Sequence, residues 1–268
     1  MTRKHYENFP VASMLLPKNI RKHVAAIYAF ARTADDYADE PGCTPDERLA
    51  KLQGWEEKLL ACNGGSAEDQ IFLALGDTIR TFDIPVELFQ ALLKAFRSDV
   101  TVARYAAFKD LSEYCRNSAN PVGRLILLLF GYRNEQLFGY SDSICTALQL
   151  TNFWQDVSVD IQKGRLYFPL EDIGRFGCTE KELLGGVFNK EAEALIHFEV
   201  ARTEEFFYNG KPLFSAIDKR LQWELKLTWN GGMRILEKIR ALNFNSIHRR
   251  PKLTPADKAA LLFRSFFL

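Results

Sequence analysis

Arg32-Thr33-Ala34-Asp35-Asp36-Tyr37-Ala38-Asp39-Glu40 carries four carboxylates within six residues. Asp35 and Asp39 are four apart, as are Asp36 and Glu40, so on a helix each pair shares a face. The surroundings fit a helix, which should follow Pro17 and run to about Glu40, where Pro41-Gly42 stops it. Crowded carboxylates at a helix C-terminus repel one another and oppose the helix dipole, so they call for a cation. An isolated acidic helix end is usually no more than a solvated surface. A second cluster changes that reading. Asn152, Asp156 and Asp160 recur every four residues and stack an amide and two carboxylates on one stripe, flanked by Leu148, Phe153, Trp154 and Val157.

Carboxylates on a partly buried helix are costly unless they are paired or bind metal. Magnesium takes oxygen ligands, commonly one or two carboxylates together with substrate phosphates. Two acidic stripes sharing magnesium around a diphosphate satisfy both demands, and the metal would neutralise the diphosphate as it leaves carbon. Arg32 precedes Asp35 by three residues and Arg165 follows Asp160 by five. Each guanidinium can pair with the aspartates or hold diphosphate oxygens bidentately. Tyr28, Phe30, Tyr37, Tyr114, Phe153, Trp154 and Tyr167 offer ring faces to a carbocation, although core packing accounts for any one of them alone. A metal-free bundle with an internal salt-bridge network is the plain alternative, but it does not explain Asn152 in register with two aspartates.

Outward from these stripes, helical signals recur and alternating strand patterns are scarce, which predicts an all-α fold. Thr44-Pro45-Asp46-Glu47 reads as a capping box opening a helix that ends near Asn63-Gly64-Gly65. Further helices are expected over about 67–82 and from Pro85 towards Tyr105. A fifth should run from near Asp110 past Pro121, kinked there, and a sixth from about Ser141 to Gln162. A non-helical link, 165–177, precedes helices over about 179–184, 190–208, 213–242 and 254–267. No repeat or linker divides the chain, so 1–268 reads as a single domain.

The 268 residues are 47% hydrophobic, enough for one large core. Lys and Arg number 35 against 34 Asp and Glu, which leaves no global field to attract nucleic acid or an anionic membrane. Cys43, Cys62, Cys115, Cys145 and Cys178 lack paired metal-ligand spacing, and an odd count suits a reducing, cytoplasmic setting. Val11 to Leu16 is too short for a signal-peptide core, and Leu125 to Phe130 is far short of a membrane span. The last helix, with Phe263, Phe266 and Phe267, should pack as an amphipathic helix, with peripheral membrane contact as the alternative. No Gly-rich nicotinamide fingerprint is present.

Several stretches together resemble the squalene and phytoene synthase family. They are Phe9 to Ser13 with Leu15-Leu16-Pro17, Ala26 through Asp39, Leu148-Gln149-Leu150-Thr151-Asn152-Phe153-Trp154-Gln155-Asp156, and Gly164-Arg165-Leu166-Tyr167-Phe168-Pro169. The resemblance implies an α-helical isoprenoid synthase domain with a central cavity, capped by two aspartate motifs that bind diphosphate through Mg2+. Carried over, the metal ligands are Asp35, Asp36 and Asp39, then Asn152, Asp156 and Asp160. Tyr28, Arg32, Gln149, Arg165 and Tyr167 match positions around the diphosphate and the cation.

The chain departs from the family's condensing enzymes at Ser118-Ala119-Asn120-Pro121-Val122-Gly123, where an apolar, glycine-rich segment is usual. It also has Gln155 in place of an arginine and Ile161 in place of an acidic residue. These features, with the opening Tyr6 to Ser13, resemble the hopanoid-pathway branch, understood to convert presqualene diphosphate and water into hydroxysqualene and diphosphate. A water-capture role for Asn120 follows from that resemblance, with a hydrogen bond at the Pro121 kink as the structural alternative. The resemblance also implies neighbours in a pathway, with substrate received from a presqualene diphosphate synthase and product passed to a squalene-forming oxidoreductase. The competing activities are head-to-head prenyl transfer and a catalytically silent interaction protein of the same fold.

Overall fold

A computed structural model describes residues 16–265. The family-like segments at Tyr6 to Leu15, and Phe266 and Phe267, expected in the last helix, lie outside the described residues. Within them there are helices and no strand. Their contacts divide the chain into two compact units, one of Met1–Val102 with Arg116–Phe138 and one of Ala103–Cys115 with Gly139–Leu268.

The first unit holds α1 (Lys18–Ala38), α2 (Pro45–Asn63), α3 (Gln70–Phe82), α4 (Glu87–Thr101) and α6 (Asn120–Leu129). The Thr44 capping box forms as expected: the Thr44 hydroxyl accepts from the Glu47 N–H at 3.3 Å, and the Glu47 carboxylate accepts from the Thr44 N–H at 2.7 Å. Asp69 caps α3, so that helix starts three residues later than Ala67. The core is aromatic. Phe30, with no exposed surface, meets Trp55, Phe72 and Phe89 at ring-centre distances of 6.0, 6.1 and 5.4 Å. Burying such a ring contributes roughly 1.5–3 kcal/mol, so Phe30 serves packing and not a cation site.

The kinked fifth helix is instead two. Helix α5 (Phe108–Ser118) stops before Ala119, and α6 begins at Asn120 with Pro121 in its first turn. A proline there lacks only an N–H that a helix start leaves unpaired anyway, so a break relieves the clash that a continuous helix would suffer.

The second unit is built on α7 (Glu135–Asp160, entering it at Gly139), α8 (Leu170–Arg175), α9 (Glu180–Leu184), α10 (Lys190–Gly210), α11 (Leu213–Ala216), α12 (Lys219–Ala241) and α13 (Pro255–Arg264). Helix α7 starts six residues before Ser141 because the Asn134 side chain accepts from the N–H groups of Gln136 and Leu137. Helix α8 falls inside the link expected to be non-helical, and Asp218 caps α12, so the span 213–242 is broken into two helices. Close helix approaches set the packing. A Cβ on Gly210 would lie 2.4 Å from Ile144 Cγ1 and 2.7 Å from the Tyr140 carbonyl oxygen, and one on Gly232 would lie 2.4 Å from Phe207 Cζ. Among the described residues, no helix is long and apolar enough to cross a membrane.

Candidate active site

In the first unit, α1 presents Tyr28, Arg32, Asp35 and Asp36 over its last three turns. Tyr28 is buried, Arg32 and Asp35 are half-buried, and Asp36 and Asp39 are exposed. Arg32 donates to Asp35 Oδ2 at 3.1 Å and to Asp36 Oδ1 at 2.5 Å. Burial works against the guanidinium charge, yet the fields of Asp35 and Asp36 outweigh it and raise the Arg32 pKa. The helix ends at Ala38, so Asp39 is the C-cap residue and Glu40 lies beyond it. The expected Asp36–Glu40 face therefore does not form. Glu40 accepts from Lys51 Nζ at 2.5 Å instead. Asn120, also in this unit, is the first residue of α6 and only 8% exposed.

In the second unit, Asn152, Asp156 and Asp160 occupy the last turns of α7 and are all half-buried, with Gln149 one turn before them. The chain leaves α7 through a single 3-10 turn, Ile161–Lys163, and reverses at Gly164, whose φ of +67° favours glycine. The Arg165 N–H then donates to the Asp160 carbonyl at 2.9 Å, which returns Arg165 towards the acidic stripe. Arg104 fixes this turn by donating to the Gly164 carbonyl at 2.8 Å while Glu180 holds its Nε at 2.5 Å.

Asp160 and Arg165 face a small cleft whose other walls are Phe153, Trp154, Val157, Ile161, Leu166, Tyr167 and Phe168. Burial, reinforced by the charge of Asp156, pushes the Asp160 carboxyl up to about 6, against the opposing fields of Lys163, Arg165 and Arg250. The Asp160 carboxylate therefore bears a burial cost that the neighbouring cations only partly offset. Among the described residues, no three His, Cys, Asp or Glu side chains converge as a ready-made metal cage.

Tyr167 stacks on Phe153 with ring centres 3.9 Å apart, and Tyr105 and Tyr114 extend the wall at 6.2 Å from Tyr167 and 6.0 Å from Phe153. Trp154 backs this wall from the core. It has no exposed surface, stacks on Phe168 at 4.9 Å and donates to Thr203 at 2.8 Å, so it is a core residue.

Sequence reasoning missed Arg250. Its Nε and Nη2 donate to the two oxygens of Asp156 at 2.5 and 3.0 Å, across 94 residues of sequence. Beside it, Gln155 Nε2 donates to the Pro251 carbonyl at 2.8 Å. No local period marks either contact. The basic pair Arg249-Arg250 before Pro251 was the only sequence signal.

The family model described as squalene/phytoene synthase matches residues 2–257. A 15-cis-phytoene synthase of Synechocystis sp. is 30% identical over 280 residues, covering 98% of this chain and 81% of the relative. The crystal structure of squalene synthase HpnC from Alicyclobacillus acidocaldarius superposes with a TM-score of 0.86 at 39% identity, covering 91% of this chain and 92% of that one. A dehydrosqualene synthase in complex with ligand gives a TM-score of 0.84 at 27% identity, covering 98% of this chain and 92% of that one. Family-model coverage and these relatives establish an all-α enzyme of isoprenoid biosynthesis acting on prenyl diphosphates. The chain belongs to the squalene/phytoene synthase family.

Proposed function

We propose that this chain is a hydroxysqualene synthase, a single synthase domain that ionises presqualene diphosphate with Mg2+ and lets water capture the rearranged cation. The carbon–oxygen bond to diphosphate breaks with its electron pair leaving on diphosphate. The cyclopropylcarbinyl cation rearranges, water adds through oxygen, and loss of one proton leaves hydroxysqualene. When bound, Mg2+ supplies the charge that stabilises the departing diphosphate. Asp35, Asp36 and Asp39 would hold it from α1, and Asn152, Asp156 and Asp160 from α7. The donor set of α7 fits that ion in kind: two half-buried carboxylates and an amide carbonyl would supply oxygen ligands that phosphate and water complete.

Arg32 from the first unit, and Arg165 and Arg250 from the second, would take diphosphate oxygens, with Arg32 and Arg250 exchanging their aspartate partners for the ligand. The Tyr167 and Phe153 faces stabilise the cation, and Tyr28 and Gln149 shape its surroundings.

The observation that carries hydration over condensation is Asn120. It is a buried amide on a helix whose other buried residues are Pro121 and the apolar run 125–129. The family's condensing enzymes usually carry an apolar, glycine-rich segment here, so the Asn120 amide adds a polar group that would orient a water for capture. The phytoene synthases among the relatives favour a second reading, head-to-head condensation of two allylic diphosphates. Incubation with presqualene diphosphate in one vessel and with farnesyl or geranylgeranyl diphosphate in another separates the two. An alcohol from the first and no condensation product from the second supports hydration; the reverse overturns it.

A further inference from the structure

We propose that Gln155 is a positioning residue that presets Arg250 for diphosphate. This deepens the functional reading above and rests on its diphosphate site. The geometry is a two-point clamp. Consecutive residues of α7, Gln155 and Asp156, hold consecutive residues of the 250–251 segment, Pro251 and Arg250. Successive helix side chains diverge by roughly 100°, so the two grips come from different directions and together fix both position and rotation.

Gln155 is 5% exposed and Pro251 is buried, so the hydrogen bond between them is shielded from water. A buried carbonyl left without that partner would carry its desolvation cost, and the segment would shift to satisfy it. Proline adds leverage because its ring fixes φ and restricts the residue before it. Holding the Pro251 carbonyl therefore also constrains the Arg250 backbone. Arginine has a long side chain, and fixing its root leaves fewer arrangements to lose when the guanidinium meets a ligand. Arg250 is poised on Asp156 before substrate arrives, and Gln155 keeps it there.

The test is a double-mutant cycle on binding of inorganic pyrophosphate in the presence of magnesium chloride, followed by calorimetry, with melting temperatures on the same samples. Gln155→Met keeps the shape and removes the donor. It should weaken pyrophosphate about five- to tenfold in the parent protein, yet less than about twofold in an Arg250→Gln background. A purely structural glutamine would lower the melting temperature and change affinity equally in both backgrounds, which overturns the proposal. Undiminished pyrophosphate binding in Arg250→Gln, or no binding by the parent, overturns it as well. If Gln155→Met does not fold, Gln155→Asn, one methylene too short to reach Pro251, is read by the same criteria. The readout needs no hydrocarbon. A non-additive cycle in a protein that makes no hydroxysqualene upholds the positioning role and rejects the hydration reading.

Discussion

Arg250 grips both carboxylate oxygens of Asp156, at 2.5 and 3.0 Å, from a segment that follows the penultimate helix. Both side chains are about one-third exposed, so the pair adds little to stability. Its consequence is electrostatic. A carboxylate stripe that needs cations already has one, in the fork geometry suited to phosphate oxygens.

Removing that fork should therefore damage substrate handling more than folding. Arg250→Gln is expected to raise KM for the diphosphate substrate about tenfold or more. Arg250→Lys should recover only part of the loss, because an ammonium cannot make the two parallel bonds. Steady-state kinetics beside a thermal melt checks this, and a large drop in melting temperature with unchanged KM would argue for a structural pair.

The acidic motifs should be separable from the fold in the same way. Asp35→Asn and Asp156→Asn are each expected to cut turnover by at least about 100-fold while the helical circular dichroism persists. Excess chelator should do the same to the parent protein. Full activity in either mutant would end the metal assignment.

Reading these motifs required only local spacing, which explains what was legible in the sequence. Thr44 to Glu47, the end of α1 and the Asn152, Asp156, Asp160 stripe all declare themselves within a few residues, and the structure has them there. What escaped depends on partners far along the chain. Helix α8 forms where the Leu170 and Glu171 N–H groups donate to the carbonyls of Tyr105 and Ala106, and Arg202 grips Asp172. Arg250 meets Asp156 across 94 residues, from a segment beyond α12. The break at Ala119 turned on whether Pro121 kinks a helix or starts one, two outcomes with the same local signature.

Packing offers a check on the second unit. Gly210→Ala places its methyl carbon against Ile144 and the Tyr140 carbonyl, nearer than atoms pack without displacement. Overpacking there should cost about 1–3 kcal/mol. Chemical denaturation of the variant measures it; unchanged stability would mean that α7 and α10 can separate freely.

Glu224 predicts a pH dependence. It is 7% exposed, its Oε1 lacks a hydrogen-bond partner among the described residues, and burial pushes its carboxyl up to about 7. With the folded-state pKa raised, the folded protein holds the proton more tightly than the unfolded chain. Stability is then fully present below the ordinary glutamate range and declines as pH rises towards 7. Glu224→Gln should flatten that decline, so the variant gains on the parent at pH 8 relative to pH 4. Melting curves across this range test it, and parallel profiles for the two proteins would refute the assignment.

Asn120→Ala tests the proposed water site. Diphosphate release should continue, the product should shift from the alcohol to eliminated or rearranged hydrocarbons, and the melting temperature should stay within about 3 °C. If Asn120 instead serves only the α6 start, stability falls and the product ratio stays the same.

The most direct measurement of the central claim follows oxygen. Presqualene diphosphate and Mg2+ are supplied without reductant, in water enriched in the heavy oxygen isotope, and the products are weighed by mass spectrometry. Capture by water predicts hydroxysqualene carrying one heavy oxygen, with one diphosphate released per alcohol and no heavy oxygen in it. An unlabelled hydrocarbon as the sole product, or no diphosphate released at all, would contradict the account.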